Sequence, residues 1–446
     1  MNELVEPLTF ASIAIKFKLS AAPYIEHQMS TLASGNSPAT RWTKRVTILT
    51  LMADTKHCAI PETMLTCQNR YLIPAIQALQ NVQFASVFSY ARRPDVEALQ
   101  ALSQIPTLRD LSISFPGYQS GHETLPLDAF TNLRVLTLKL TSGSIRTPMI
   151  QSIGPMVARY PALEELTLIE KYTKHDGVTN LDIFFEDPMH SPSFVPSLTK
   201  LTLRNCSEFT MSALSAPRLR SLVHLNVRRR KGNIDASFWR ALAEIGAKIR
   251  YFNVYPLDAA AIRYLASYEG LEELHIQDHG QSEAQDFSKE VFHTVLPCHR
   301  QSLQQLTFSC FNFRSWCITD KYLGCVLKCT ALRNLTLLYH HPEENREWPS
   351  LPQEKIFMDL STLLTRITER LGKLETLKLL PIRHNPYFAS GTGVGTYLDI
   401  NDKTFEKEIC ESEITCAQIP AFQLCWMAHS RRFKPVEAKE EGLPSP

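Results

Sequence analysis

The chain repeats one pattern of apolar positions: an apolar residue, a second one three places later, and a third two places after that. Ten copies are clear, and they begin at residues 108, 133, 163, 198, 222, 249, 271, 303, 332 and 374. Their mean period is about 30 residues, which is typical of solenoid proteins. Val46-Leu49-Leu51 predicts an eleventh copy, and Val82-Ala85-Val87 predicts a degenerate one.

Each copy predicts one β-strand with an inward and an outward face, because alternate side chains of a strand point to opposite sides. In the copy that begins at Leu163, the side chains of Leu166 and Leu168 face inward, and Leu163 turns in at the corner before the strand. Glu165 and Thr167 face outward. One copy cannot bury its own apolar face, so neighbouring copies must stack to form a continuous core.

Turns and short helical patterns lie between the predicted strands. Tyr160-Pro161 is such a turn, and Phe238, Leu242 and Ile245 recur at helical spacing. This order of strand, loop, helix and turn resembles the leucine-rich-repeat family from about residue 40 to about residue 385. The resemblance implies an α/β leucine-rich-repeat solenoid, with a parallel β-sheet on the concave face and helices on the convex face.

The N-terminal sequence carries a second resemblance. Residues 4–13, LVEPLTFASI, are similar to the segment that directly follows the F-box in fungal F-box/leucine-rich-repeat proteins. Residues 32–38 and 41–46 resemble that family's entry into its repeats. The resemblance implies the substrate-recognition part of an SCF-type ubiquitin ligase. A Skp-type adaptor is expected as a partner only if an F-box lies upstream of residue 1.

The pattern divides the chain into four predicted parts. Residues 1–45 are an entry segment, with a strand predicted over residues 10–17, and residues 46–385 are the solenoid. Residues 386–430 are a Gly-rich loop followed by a helical cap, and the charged residues 431–446 are expected to be disordered. Insertions at 172–194 and 339–355 are expected to form rim loops.

Composition narrows the classes of function. The hydrophobic content of 44% and the charged content of 21% are ordinary for a globular protein. A net charge of +2 does not favour nucleic acid or an anionic membrane as the main partner. No apolar run reaches the roughly 18 residues of a membrane span, and no signal peptide is predicted. The 11 cysteines lack framework spacing, which favours reduced thiols in a cytoplasmic or nuclear protein.

No residue constellation points to catalysis. GxSxG, HExxH and P-loop motifs are absent, so we expect no enzyme activity and no cofactor. Cys325 and Cys329 come nearest to zinc-ligand spacing, but both lie on one helical face beside Val326. Core packing of the thiols is the favoured interpretation there, so we expect no metal site.

The sequence therefore favours protein binding through the outward side chains of the middle strands. Tyr and Arg, which are common at interface hot spots, are frequent among these residues. An acidic partner segment is expected against the arginines and an apolar anchor against the tyrosines. The alternatives are that these side chains only solvate the sheet, that the rim loops carry recognition, or that the protein is a leucine-rich-repeat scaffold without ubiquitin coupling. The twelve candidate residues are Lys200, Thr202, Arg204, His224, Asn226, Arg228, Tyr251, Asn253, Tyr255, Glu273, His275 and Gln277.

Overall fold

The chain folds into two compact units, Met1–Ala247 and Lys248–Pro446, and each is described by itself. The computed structural model describes residues 2–17, 22–50, 62–89, 96–115, 126–140, 160, 162–170, 179–182, 198–205, 209–211, 219–229, 234–278, 287–310, 316–339, 360–381, 423–426 and 429–432. Within these ranges no helix is both long enough and apolar enough to span a bilayer.

The first unit alternates strands with helices and turns. Its helices are α1 (Asn2–Thr9), α2 (Ala22–Ala33), α3 (Pro38–Trp42), α4 (Glu62–Ala78), α5 (Val96–Ser103) and α6 (Ala236–Glu244). Its sheet contains β1 (Ser12–Lys16), β2 (Arg45–Thr50), β3 (Phe84–Ser89), β4 (Asp110–Phe115), β5 (Val135–Leu140), β6 (Glu165–Glu170), β8 (Lys200–Arg204) and β10 (His224–Arg228). Two short strands, β7 (Thr179–Asn180) and β9 (Phe209–Thr210), pair with each other.

The second unit continues the same alternation. Its helices are α7 (Ala259–Leu265), α8 (Ser288–Glu290), α9 (Leu296–His299), α10 (Asp320–Val326) and α11 (Leu360–Arg370), with a π-helical turn over Val291–Val295 between α8 and α9. Its strands are β11 (Tyr251–Tyr255), β12 (Glu273–Asp278), β13 (Gln305–Cys310), β14 (Asn334–Tyr339), β15 (Thr376–Pro381), β16 (Gln423–Trp426) and β17 (His429–Arg432).

The strands confirm the predicted repeat, because equivalent residues of successive copies are register partners. Leu136, Leu166 and Leu201 align across β5, β6 and β8, and all three are buried. In the second unit Leu274 aligns with Leu306 in the same way. These strand pairs are parallel, so the fold is an α/β leucine-rich-repeat solenoid.

A backbone contact before most strands of the sheet holds this register. The carbonyl of Glu164 accepts hydrogen bonds from the N–H groups of both Thr199 and Lys200, at 2.8 and 3.0 Å. The same double acceptance recurs from Ala11 to Thr199 in the first unit and from Arg250 to Arg333 in the second. Because it uses only backbone atoms, the contact places no demand on the side chains, except that proline cannot supply either N–H donor.

Helices cover the inward face of the strands and are capped by side chains. In the second unit the Phe292 ring lies 5.1 Å from the Phe308 ring on β13, which joins the π-helical turn to the strand. Helix α6, which the spacing of apolar residues predicted, buries Phe238 and Leu242. Its N-cap Asp235 accepts a hydrogen bond from the N–H of Ser237, a common way to satisfy a free helix-end donor.

The predicted eleventh copy has a different register from the one that Val46-Leu49-Leu51 implied. Val46 and Ile48 are the buried strand residues, and Leu49 is only half-buried. The corner position is therefore Thr43, which is buried and donates its hydroxyl to the Phe10 carbonyl at 3.0 Å. A search for apolar corners misses this copy, because a hydrogen-bonded threonine fills the place of leucine.

Strands also lie outside the predicted solenoid bounds, 46–385, at both ends. Strand β1, which the alternation over residues 10–17 predicted, pairs in parallel with β2, so the sheet already begins inside the entry segment 1–45. At the other end, β16 and β17 are strands where a helical cap and then a disordered tail were predicted. The Gly-rich loop and the apolar residues of that cap lie outside the described residues, as do residues 433–446.

His299 links two copies of the second unit through both ring nitrogens. Its Nδ1 accepts a hydrogen bond from the Leu271 N–H at 3.3 Å, so its Nε2 carries the proton and donates to the Leu265 carbonyl at 2.9 Å. The ring is buried beside Tyr268. Burial lowers the pKa of His299, although the Leu265 carbonyl and Glu269 oppose this shift. The geometry therefore requires a neutral imidazole.

We expect acid to destabilise the second unit through His299. Below about pH 6.5 the unfolded chain binds a proton that the folded ring resists, so the free energy of unfolding falls as the pH falls. Urea unfolding at pH 7.5 and pH 5.5 measures this loss. In His299→Gln, whose amide can make both hydrogen bonds without titrating, the loss should be smaller. His27→Gln, at an exposed position of α2, should behave as wild type; an unchanged loss in His299→Gln would contradict the assignment.

Candidate functional site

Six of the predicted residues form one surface in the first unit, which we call the first-unit face. Register pairs each residue on β8 with one on β10, in three rows. The first row is half-exposed, and there the Lys200 ammonium lies 2.9 Å from a Glu165 carboxylate oxygen on β6. The rows are Lys200 with His224, Thr202 with Asn226, and Arg204 with Arg228.

The middle row is more buried than its outward position predicts. Thr202 is 5% exposed, and its register partner Thr167 on β6 is half-buried. The side-chain oxygen Oδ1 of Asn226 is buried and accepts no hydrogen bond among the described residues. Sheet parity gives the direction of a side chain, but its burial depends on the size of its neighbours on adjacent strands. The first-unit face is therefore partly desolvated.

The third row places two positive charges on neighbouring strands. Arg204 and Arg228 are register partners and both are half-buried, with Ile169 beside Arg204 on β6. Burial and the charge of Arg204 lower the pKa of Arg228. The Nε of Arg228 is buried and finds no hydrogen-bond acceptor in the described part of the chain. This row can therefore receive an anionic group.

The other six predicted residues lie on β11 and β12 of the second unit, and we call them the second-unit face. Tyr251 is the register partner of Glu273, and Asn253 is the register partner of His275. Burial and the nearby Glu272 carboxylate raise the pKa of Tyr251. The Oδ1 of Asn253, like that of Asn226 in the first unit, is buried and without a hydrogen-bond partner among the described residues.

Two details of the second-unit face were not predicted. Tyr255 is only 9% exposed, so little of its ring is available to a partner. Nε2 of His275 accepts a hydrogen bond from the side-chain amide N–H of Gln305 on β13 at 3.1 Å and lies 3.7 Å from a Glu273 carboxylate oxygen. Gln277 is half-buried at the end of β12. The accessible part of this face is therefore polar, with Tyr251 as its half-buried aromatic residue.

The residues that complete these faces lie on neighbouring strands. The sequence predicted those strands but named no candidate site residue on them. Glu165 pairs with Lys200, Ile169 flanks Arg204, and Gln305 holds His275. All three occupy the same repeat positions as predicted site residues, one copy earlier or later. Alignment of the copies on their inward leucines would have identified them, because register then places equivalent positions side by side.

The two cysteines near α10 differ in burial, because Cys329 is buried and Cys325 is half-buried. Cys329 is buried, and burial raises its pKa to about 12. The Cys325 thiol lies 3.4 Å from Nδ1 of His293, and burial raises its pKa despite nearby Lys328 and Lys321. Burial lowers the pKa of His293, and the nearby Lys321, Lys289 and Lys328 lower it further, so this positively charged surrounding is unfavourable for a cation. Among the described residues no three metal-ligating side chains group together.

Comparisons with known proteins add little to this geometry. No protein-family model matches the chain, and a search of curated proteins finds no match. A solved structure of a leucine-rich-repeat protein from Leptospira interrogans is similar at a TM-score of 0.29 and 13% identity. That match covers 76% of this chain and 91% of the other. The fold assignment therefore rests on the repeated strand register.

Lysine substitutions at Thr202 and at its register partner Thr167 test whether Thr202 is buried. Thr202→Lys should cost more than about 2 kcal/mol of unfolding free energy, because the ammonium enters a desolvated position between Lys200 and Arg204. Thr167→Lys, at the register partner, should cost at most about 1 kcal/mol, because that position is half-exposed and near Glu165. Chemical denaturation of both variants measures the difference, and equal costs would contradict the burial of Thr202.

Proposed function

We propose that the protein is a protein-interaction module that binds partners through the first-unit face and, separately, through the second-unit face. The observation that carries the proposal is the desolvation of polar groups on both faces. Asn226 and Asn253 occupy central outward positions, and each buries a side-chain carbonyl oxygen that accepts no hydrogen bond from the residues that the structure describes. A partner that covers such a strand face can supply the missing donors, and satisfied polar contacts in a dry interface give specificity.

The chemistry of the two faces suggests what the partner presents. Arg204 and Arg228 favour an acidic segment on the first-unit face, because charge-assisted hydrogen bonds to guanidinium groups are strong. Tyr251 offers a half-buried ring to an apolar side chain on the second-unit face. The burial of Tyr255 reduces its part in the predicted apolar anchor, so Tyr251 carries this role.

A finer proposal is that the module selects targets for an SCF-type ubiquitin ligase. Its support is the N-terminal resemblance to fungal F-box/leucine-rich-repeat proteins. Helix α1, which lies within that resemblance, exposes Val5 by 57% and Leu8 by 83%. Exposed apolar side chains on a helix are suited to contact with a further helical segment. The second candidate is a leucine-rich-repeat scaffold without ubiquitin coupling, which uses the same faces and needs no adaptor.

Site-specific photo-crosslinking in the native host tests the proposed binding surface. We expect a benzoylphenylalanine at Thr167, on the outward face, to crosslink a defined protein partner. The same residue at Ala243, exposed on α6, should not crosslink that partner. Replacing Arg204 and Arg228 by Gln should reduce the Thr167 crosslink by about tenfold or more, as for hot-spot residues. Crosslinks that are equal at Thr167 and Ala243 would refute the assignment of the face.

The same purification separates the two finer candidates. Recovery of a Skp-type adaptor together with the crosslinked partner, from the full-length native protein, would support a ubiquitin-ligase receptor. A crosslinked partner without adaptor would support the scaffold. Substitution of Leu8 by Asp should remove the adaptor and leave the partner crosslink intact, because Leu8 is exposed and lies outside both faces.

A further inference from the structure

The outward face of the first unit carries a hydroxyl group at the middle position of six neighbouring strands. These residues are register partners from β2 through β3, β4, β5 and β6 to β8. Neighbouring strands lie about 4.8 Å apart, so the row is about 24 Å long. It contains no charged residue. We call it the hydroxyl row, and its members are Thr47, Ser86, Ser112, Thr137, Thr167 and Thr202.

The hydroxyl groups of this row are available to a ligand although three of the residues are almost fully buried. Ser86, Ser112 and Thr202 are 6%, 7% and 5% exposed. None of the six hydroxyl groups hydrogen-bonds to another residue in the described part of the chain, and none of their oxygens is among the enclosed polar atoms there that lack a partner. The small exposed area of the three buried residues therefore includes the hydroxyl oxygen, on the side away from the leucine core.

Larger side chains flank the hydroxyl row on both sides. On β3 the rings of Phe84 and Phe88 lie two positions before and two positions after Ser86. The Arg45 guanidinium lies 4.7 Å from the centre of the Phe84 ring, and the Lys139 ammonium, which comes from two strands away, lies 5.4 Å from the centre of the Phe88 ring. A ligand above Ser86 therefore meets hydroxyl groups below it, with aromatic rings and the aliphatic chains of cations at its sides.

The spacing of the hydroxyl groups matches one backbone conformation. A polyproline II helix rises about 3.1 Å per residue with three residues per turn, so the same face returns about every 9.3 Å. Two strand spacings of the sheet are about 9.6 Å. An extended β-strand returns to the same face about every 6.7 Å, which matches neither one strand spacing nor two. About eight residues of polyproline II would therefore cover the row with a mismatch of less than about 1 Å.

We propose that the hydroxyl row binds an uncharged, proline-rich segment of a protein partner in the polyproline II conformation. The carbonyl groups of such a segment have no internal hydrogen bonds, so they need donors, which the hydroxyl groups supply. The rings and aliphatic chains beside the row can pack against proline rings, as in other grooves that recognise this conformation. This inference deepens the proposed function and rests on it, because Thr202 also belongs to the first-unit face.

The experiment titrates the full chain into a blocked, dye-labelled decaproline and follows fluorescence anisotropy. We expect saturable binding, and a rise in Tm with the concentration of unlabelled decaproline, because a ligand of the folded state stabilises it. Thr137→Val and Thr167→Val each keep the side-chain shape and remove one donor, so each should weaken binding by about threefold or more, and together by about tenfold or more. Thr307→Val, at an outward position of β13 outside the row, should bind as wild type.

A blocked decapeptide of alternating threonine and glutamine, labelled in the same way, tests the conformation of the ligand. It should bind at least about tenfold more weakly than decaproline, because an extended strand does not repeat with the row. No binding of decaproline to the wild-type protein, equal binding to the wild-type protein and the double valine variant, or equal binding of the two peptides would overturn the proposal. The peptides are tested without the native partner, so a crosslink at Thr167 together with no decaproline binding would remove the proline-rich ligand and leave the binding face.

Discussion

The rest of this structure depends on one backbone contact. A single carbonyl at the turn before a strand accepts hydrogen bonds from two consecutive N–H groups of the next copy. In each copy that makes it, two consecutive N–H groups bond to the carbonyl at the equivalent corner of the previous copy. Each such bond contributes about 1 kcal/mol net, and the pair fixes where the next strand begins. The connecting segments can therefore vary in length without a shift of register, because the register is set again at every corner.

Because the register is fixed, inward and outward positions of the strands have different sequence requirements. Inward positions must be apolar in every copy, because residues such as Leu166 and Leu201 pack directly on each other. Outward positions have no such requirement, so their chemistry can vary from strand to strand. The ion pair of Lys200 with Glu165, the arginine row and the polar row of the second unit are three such variations. A binding surface of this kind changes its specificity without changing the fold.

The sequence predicted the strands and their inward residues because the leucine period is a direct consequence of stacking. It could not predict what depends on neighbours in space. Thr43 replaces a corner leucine by means of a hydrogen bond to a residue 33 positions away, so an apolar pattern does not detect it. Thr202 and Tyr255 have outward parity but are buried by side chains around them. Strand β16 begins about 40 residues after the end of β15, and no copy of the apolar pattern indicates β16 or β17. The sequence therefore predicted which side chains of a strand face outward, but it could not predict how much of each outward side chain is exposed.

Disulfide trapping on the outward face tests the in-register stacking most directly. Thr307 on β13 and Thr336 on β14 are register partners, and both are half-exposed. Parallel neighbours lie about 4.8 Å apart, which is within the Cα separation that a disulfide spans. Thr307→Cys/Thr336→Cys should form this disulfide on mild oxidation, and mass spectrometry should identify the linked peptides. Thr307→Cys/Asn334→Cys, offset by two residues, should stay reduced at these positions. Preferential crosslinking of the offset pair would contradict the register and the account built on it.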